Sequence, residues 1–227
     1  MSRKRLIITA IVLVLVLAIG GILAYFTDSQ TVENKFKMSN VDIIVREPGF
    51  PTDTIPVLTP NSVVSKDPYI ENNGSDDVYA FMEVAIPVAS IATESDSEVK
   101  ERELFKVQHI TSEAGATTVT YGDGINAGWV QIGNATEKTI DEVKYKVYVY
   151  AYATDANTLT PLKSTSGQNT TPRIFNQVKF IDAKETENAS SVLQNKEWKV
   201  IVTGHGIQTA DLGLDTVTPA AVWELVK

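Results

Sequence analysis

The stretch Lys144-Tyr-Lys-Val-Tyr-Val-Tyr-Ala-Tyr-Ala153 decides the fold class. Val147, Val149, Ala151 and Ala153 alternate with Tyr148, Tyr150 and Tyr152, so a strand here presents one small apolar face and one aromatic face. Apolar character on both faces predicts a central strand covered on both sides.

Working outward, the same β-branched and aromatic chemistry recurs at Val41–Val45, Val78–Ile86, Thr117–Tyr121, Trp129–Ile132, Gln177–Ile181 and Trp198–Thr203. Turn residues separate these segments at Asn72–Ser75, Gly122–Gly124, Gly133-Asn134 and Asp155–Asn157, and Glu71–Asp76 reads as a turn joining two strands. Helical signal is thin. Ser95-Asp-Ser-Glu98 resembles a helix start leading into Val99–Val107, and a second short helix fits Asn188–Gln194. Many strands without βαβ alternation predict an all-β, antiparallel two-sheet sandwich, jelly-roll-like or immunoglobulin-like, with short helices in its connections.

Hydrophobic residues make up 43% and charged residues 21% of the chain, enough apolar content to bury a core. No cysteine is present, which excludes disulfides, zinc-thiolate sites and thiol nucleophiles. Ser2-Arg3-Lys4-Arg5 is a basic n-region, Leu6–Ile19 is apolar but for Thr9, and Gly20, Gly21 and Ala24 supply small residues for a signal peptidase. Residues 1–24 therefore read as a secretion signal with cleavage between Ala24 and Tyr25. The competing reading is an uncleaved membrane anchor, since Leu6–Phe26 is long enough to cross a bilayer. Removing Arg3, Lys4 and Arg5 with the leader deepens the net charge from −8 to −11, because all 28 acidic residues lie beyond it. Such a surface repels nucleic acid and anionic lipid, so neither is an expected partner, and membrane association is expected only through the uncleaved leader.

Catalytic chemistry is sparse. The histidines are His109 and His205, far apart in sequence, and there is no H-E-x-x-H, G-x-S-x-G or phosphate-binding glycine loop. The glycines of Thr203-Gly-His-Gly206 suggest a bulge or strand end rather than a ligand site. Asp76-Asp77 and the group Glu94, Asp96 and Glu98 lack the spacing of a calcium loop and read as solvated acidic loops. No catalytic residue, metal site or cofactor is expected.

Ala24-Tyr-Phe-Thr-Asp28, directly after a Gly-Gly-containing leader, resembles the signal junction of the TasA/camelysin family of Gram-positive bacteria. Further blocks are similar to that family in order: Val41–Val45, Val64-Ser-Lys-Asp-Pro-Tyr-Ile70 with Asn72-Asn-Gly74, Ile174-Phe-Asn-Gln-Val-Lys-Phe180 and Gly206-Ile-Gln-Thr209. The resemblance implies processing by a SipW-type signal peptidase, a jelly-roll-like sandwich over 39–227, and secretion to the extracellular matrix or cell surface. It implies a homopolymer, a biofilm matrix fibre, with an accessory matrix protein as a further partner. In such fibres the mature N-terminal segment completes a neighbour's sheet, a form of β-augmentation.

The matching segment is 25–38, where Phe26, Val32, Phe36 and Met38 share one parity and form the donor strand's apolar set, interrupted by Asp28 and Gln30. From Val41 the apolar residues move to odd positions, which predicts a break near Ser39-Asn40. Four buried anchors at about 1.5–3 kcal/mol each do not offset ordering a dozen residues at about 1–2 kcal/mol each, so ladder hydrogen bonds to an open acceptor edge are required. The resemblance also suggests a casein-cleaving extracellular metallopeptidase. A zinc hydrolase needs about three protein ligands and a base, and metal binding here would have to be by carboxylates only. A third reading, a carbohydrate-binding sandwich, would use Tyr148–Tyr152 as exposed aromatics.

Overall fold

The computed structural model describes residues 40–51, 57–184, 192–194 and 197–227. In chain order these form β1 (Ile43–Arg46), β2 (Val63–Ser65), β3 (Tyr69–Asn72), β4 (Val78–Ile91), β5 (Lys100–Glu103), β6 (Phe105–Ile110), β7 (Tyr121–Asp123), β8 (Trp129–Gln131), β9 (Thr136–Ile140), β10 (Val143–Asp155), β11 (Thr158–Leu159), β12 (Gln177–Phe180), β13 (Ile201–Gln208) and the helix α1 (Pro219–Val226). The expected signal helix and the arm 25–38 lie outside the described residues.

The long strands β4 and β10 pair antiparallel from Tyr145↔Pro87 to Ala151↔Phe81. Together they centre a seven-stranded sheet of order β11-β10-β4-β13, with β5 added on β4 and β8 and β9 on β10. A four-stranded sheet has the order β2-β12-β6-β7, and β1 and β3 form a separate ribbon. The pairings are antiparallel and the fold is mostly β, as expected, but three sheets are present where two were expected.

Both faces of β10 are covered. On the aromatic face, Tyr150 lies in one core with Val78, Ala80, Met82, Val84 and Ile86 of β4 and with Phe105, Val178 and Phe180 of the four-stranded sheet. Phe105 and Phe180 pair across their strands, edge to face at 5.5 Å. Burial pushes the Tyr150 phenol up to about 12. On the small face, Ala151 and Ala153 pack with Phe81 of β4 and with Val222 and Trp223 of α1. The small side chains leave room for a helix, and α1 fills it. Thr218 accepts a hydrogen bond from the Ala221 amide at 3.3 Å and Pro219 occupies the first turn, a favourable helix start.

Several expectations are corrected. Val99–Val107 is not a helix. It contains β5 and the start of β6, because alternating Lys100–Glu103 pairs with the end of β4 while Phe105 turns into the core. The carboxylate of Asp96, expected near a helix start, instead accepts from Lys100 and Arg102, and these hydrogen bonds hold it well below the usual carboxylate range. Thr117–Thr120 lies outside the strands, and Gly122 falls within β7 rather than in a turn. Of the expected helix at Asn188–Gln194, Val192 and Leu193 are helical and residues 188–191 lie outside the described residues. The turn expected at Glu71–Asp76 is shorter, since Glu71 and Asn72 belong to β3 and residues 73–77 make the connection to β4, while the turn at Asp155–Asn157 is present with Asn157 donating its amide to the Asp155 carboxylate at 2.8 Å.

The β9–β10 hairpin closes through Asp141 and Glu142, with φ of 48° and 64° between the paired Ile140 and Val143. Two successive left-handed residues are the signature of a type I′ turn, which favours glycine or asparagine. Neither Asp141 nor Glu142 is buried. Replacing Glu142 by glycine relieves a left-handed penalty of roughly 1–2 kcal/mol, offset in part by glycine's greater freedom when unfolded. The expected result is a higher denaturation midpoint for Glu142→Gly in a urea titration, with an unchanged slope.

Candidate functional site

The region that carries the family-like blocks is the first ribbon and its seat. β1 pairs with β3 from Ile43↔Asn72 to Arg46↔Tyr69, and among the described residues no other strand pairs with β1. The ribbon lies on β13, whose register against β4 runs without a break from Ile201↔Ala85 to Gln208↔Val78. The glycines of Thr203-Gly-His-Gly206 thus mark neither a bulge nor a strand end. A Cβ at Gly204 would stand 2.6 Å from Cγ2 of Val45, and one at Gly206 would stand 2.9 Å from Cγ2 of Ile43. The absence of side chains lets β1 lie directly against the strand.

Polar pins hold the ribbon at both ends. The nearly buried Lys66 donates to both carboxylate oxygens of Glu47 at 2.8 Å, and its ammonium sits 5.1 Å from the centre of the Phe50 ring. Asp67 accepts from the Gly49 amide and from Nε of Arg173, both at 2.7 Å. The Ser-Lys-Asp-Pro-Tyr block is therefore a clasp for the turn after β1, and its charges are paired as burial demands. At the other end Asn72, fully buried, donates to the carbonyls of Asp76 at 2.8 Å and Leu162 at 3.2 Å. The Asp42 carbonyl accepts from the amides of Asn73 at 2.8 Å and Gly74 at 3.0 Å. The Asp76 carboxylate accepts from the Asn40 amide at 2.9 Å.

Asp76 and Asp77 are thus engaged with the protein itself. Asp77 accepts from Lys163 at 2.7 Å and from the Ser164 amide at 3.0 Å, which lowers its carboxyl below the ordinary range. The expected cleavage residues Ala24 and Tyr25, and the expected donor residues Phe26, Val32, Phe36 and Met38, lie outside the described residues. Open edges are present: among the described residues β13 pairs only with β4, β2 only with β12, and β7 only with β6.

The histidines do not meet. His109 is on β6 opposite Gly122, and its Nδ1 is buried without a hydrogen-bond partner. His205 is on β13, with Nε2 2.9 Å from the Glu83 carboxylate and its ring edge-on to Trp223 at 5.1 Å. Among the described residues no group of three His, Asp or Glu side chains is placed to hold a metal ion. The aromatic stripe Tyr148, Tyr150 and Tyr152 faces the core rather than solvent, which removes the basis for a carbohydrate platform there.

The family model for camelysin metallo-endopeptidase matches residues 3–196. The chain belongs to that family. No curated protein matches the chain. A metallo-endopeptidase requires a metal with about three ligands and an open position. The described residues do not fit this: no three His, Asp or Glu side chains converge among them, and His205 meets Glu83 and the Trp223 ring.

The glycine seat has a measurable consequence. Gly204→Ala should lower stability by about 1–3 kcal/mol through overpacking against Val45, whose branched side chain has few alternative rotamers. Combining it with Val45→Ala should cost less than the sum of the two single changes, as chemical denaturation can determine.

Proposed function

We propose that the chain is a secreted structural subunit of extracellular matrix fibres, assembling head to tail as residues 25–38 of one copy complete a sheet of the next. The single observation that carries this reading is that β1 and β13 each pair with one strand among the described residues. An unpaired edge presents a row of main-chain donors and acceptors that an extended segment can satisfy. Such a contact joins unlike surfaces, and repetition without closure gives a filament. The resemblance of Ala24–Asp28 and of the blocks at 41–45, 64–74, 174–180 and 206–209 to the TasA/camelysin family supports the same reading. A jelly-roll strand order, processing between Ala24 and Tyr25 by a SipW-type peptidase, an accessory matrix partner and residence at the cell surface belong to this reading.

Deleting 25–38 from the processed protein should leave a folded, soluble domain with unchanged far-UV dichroism and no fibres by electron microscopy. Fibres of normal morphology from the deletion would count decisively against the proposal.

The family's description favours a second reading, an extracellular metallo-endopeptidase. It requires chelator-sensitive cleavage of casein by purified protein. The structural reading expects none above that of a mock purification, with or without added zinc.

A further inference from the structure

We propose that Asn73 is a latent deamidation site, held unreactive by the first ribbon and released when β1 lifts. Asn73-Gly74 is the one Asn-Gly pair in the chain. This dipeptide is the most susceptible to ring closure, because glycine puts no side chain in the path of the attacking nitrogen. The reaction needs only water and a base. The deprotonated Gly74 nitrogen attacks Cγ of Asn73, the bond from Cγ to the side-chain nitrogen breaks, and ammonia leaves. Water then opens the succinimide at one of its two carbonyls, giving aspartate or isoaspartate.

In the folded chain every group that must move is held. The Gly74 amide donates to the Asp42 carbonyl and to Oδ1 of Asn72, both at 3.0 Å. Nδ2 of Asn73 donates to the Asp42 carboxylate at 2.9 Å, and the Asn73 amide donates to the Asp42 carbonyl at 2.8 Å. Three of these four bonds end on Asp42, one residue before β1. Asn73 itself is exposed, so water reaches it, and the barrier is the restraint. Packing also explains why this pair stands here: a Cβ at position 74 would lie 2.3 Å from the Asn40 carbonyl oxygen and 2.9 Å from the Asp42 nitrogen. The backbone contact that seats β1 demands glycine, and the hydrogen-bond restraint makes the pair tolerable.

The product does not restore the restraint. A carboxylate at position 73 replaces the donor to Asp42 with a second anion at hydrogen-bond distance, and isoaspartate lengthens the main chain of the turn by one carbon. Each event therefore biases β1 toward the lifted state. The inference stands whether or not the chain forms fibres.

The test incubates the full-length chain at mildly alkaline pH, folded and in denaturant, and follows the 73–74 peptide by mass spectrometry. Conversion should be fast in denaturant and at least tenfold slower when folded, each tenfold corresponding to about 1.4 kcal/mol of opening free energy. Val45→Ala, which weakens the seat of β1, should convert faster than the parent while still folded. Equal rates in the folded and denatured chain, or no acceleration by Val45→Ala, would overturn the proposal. The effect of the product is read separately from hydrogen exchange at Ile43–Arg46. Asn73→Asp should exchange faster than Asn73→Ala, which loses the same donor without adding charge, and equal exchange would remove the charge argument.

Discussion

The pairing of β4 with β10 is the constraint on which the other elements depend. Two strands of thirteen or more residues lie side by side, and each must bury both of its faces. Alternation assigns Met82, Val84 and Tyr150 to one side and Phe81, Ala151 and Ala153 to the other. The first side demands a second sheet, which β6 and β12 supply with Phe105, Val178 and Phe180. The second, lined by small residues of β10, admits a helix, which α1 supplies with Trp223 lying 5.5 Å from Phe81. Neither cover would have an apolar surface to meet without the other strand of the central pair.

What was legible follows from where side chains settle the matter. The alternation of valine, alanine and tyrosine in 144–153 identified the central strand and its two covered faces without any tertiary information. Pro87, which cannot donate to a ladder, bounds the strand signal of β4 at Ile86. In the structure β4 continues through it: the ladder with β10 stops at the Tyr145–Pro87 pair, and Val88 pairs with Glu103, the last residue of β5. β9 escaped notice because Thr136-Glu-Lys-Thr-Ile140 is almost wholly exposed and needs no apolar face, and its turn, Asp141-Glu142, lacks the glycine by which such turns are recognised. Ser95-Asp-Ser-Glu98 has the residues of a helix start, and the pairing of Lys100–Glu103 with β4 overrides that local signal. The helix α1 did carry a signal, Thr218-Pro219 ahead of Val222 and Trp223, which the strand-rich context obscured.

The site divides along the same line. Motif blocks in 64–70 and 72–74 were visible as a resemblance, but their work was not: the Lys66–Glu47 and Asp67–Arg173 pairs join residues 19 and 106 positions apart in the chain. The glycines around His205 were visible as glycines. Their use depends on Ile43 and Val45 arriving from the far end of the domain, and no local pattern encodes that arrival. The isolation of His109 from His205, by contrast, followed from spacing and context, and their placement on different sheets agrees with it.

The ribbon combines tight contact with modest burial. Ile43, Ile44 and Val45 are only partly buried, whereas Ile70 behind them is fully so. A glycine surface offers close approach but few side-chain atoms to grip, so dispersion and apolar burial per residue are smaller than across a side-chain core. Much of the hold on β1 is therefore polar and local, at Asp42 and Asn40 on one side and at the Glu47–Phe50 clasp on the other. Such a strand belongs to the low-stability end of the molecule, where local opening costs less than global unfolding. It can open locally without disturbing the pairing of β4 with β10. The same looseness is why the chemistry of Asn73 is coupled to β1 rather than to the core.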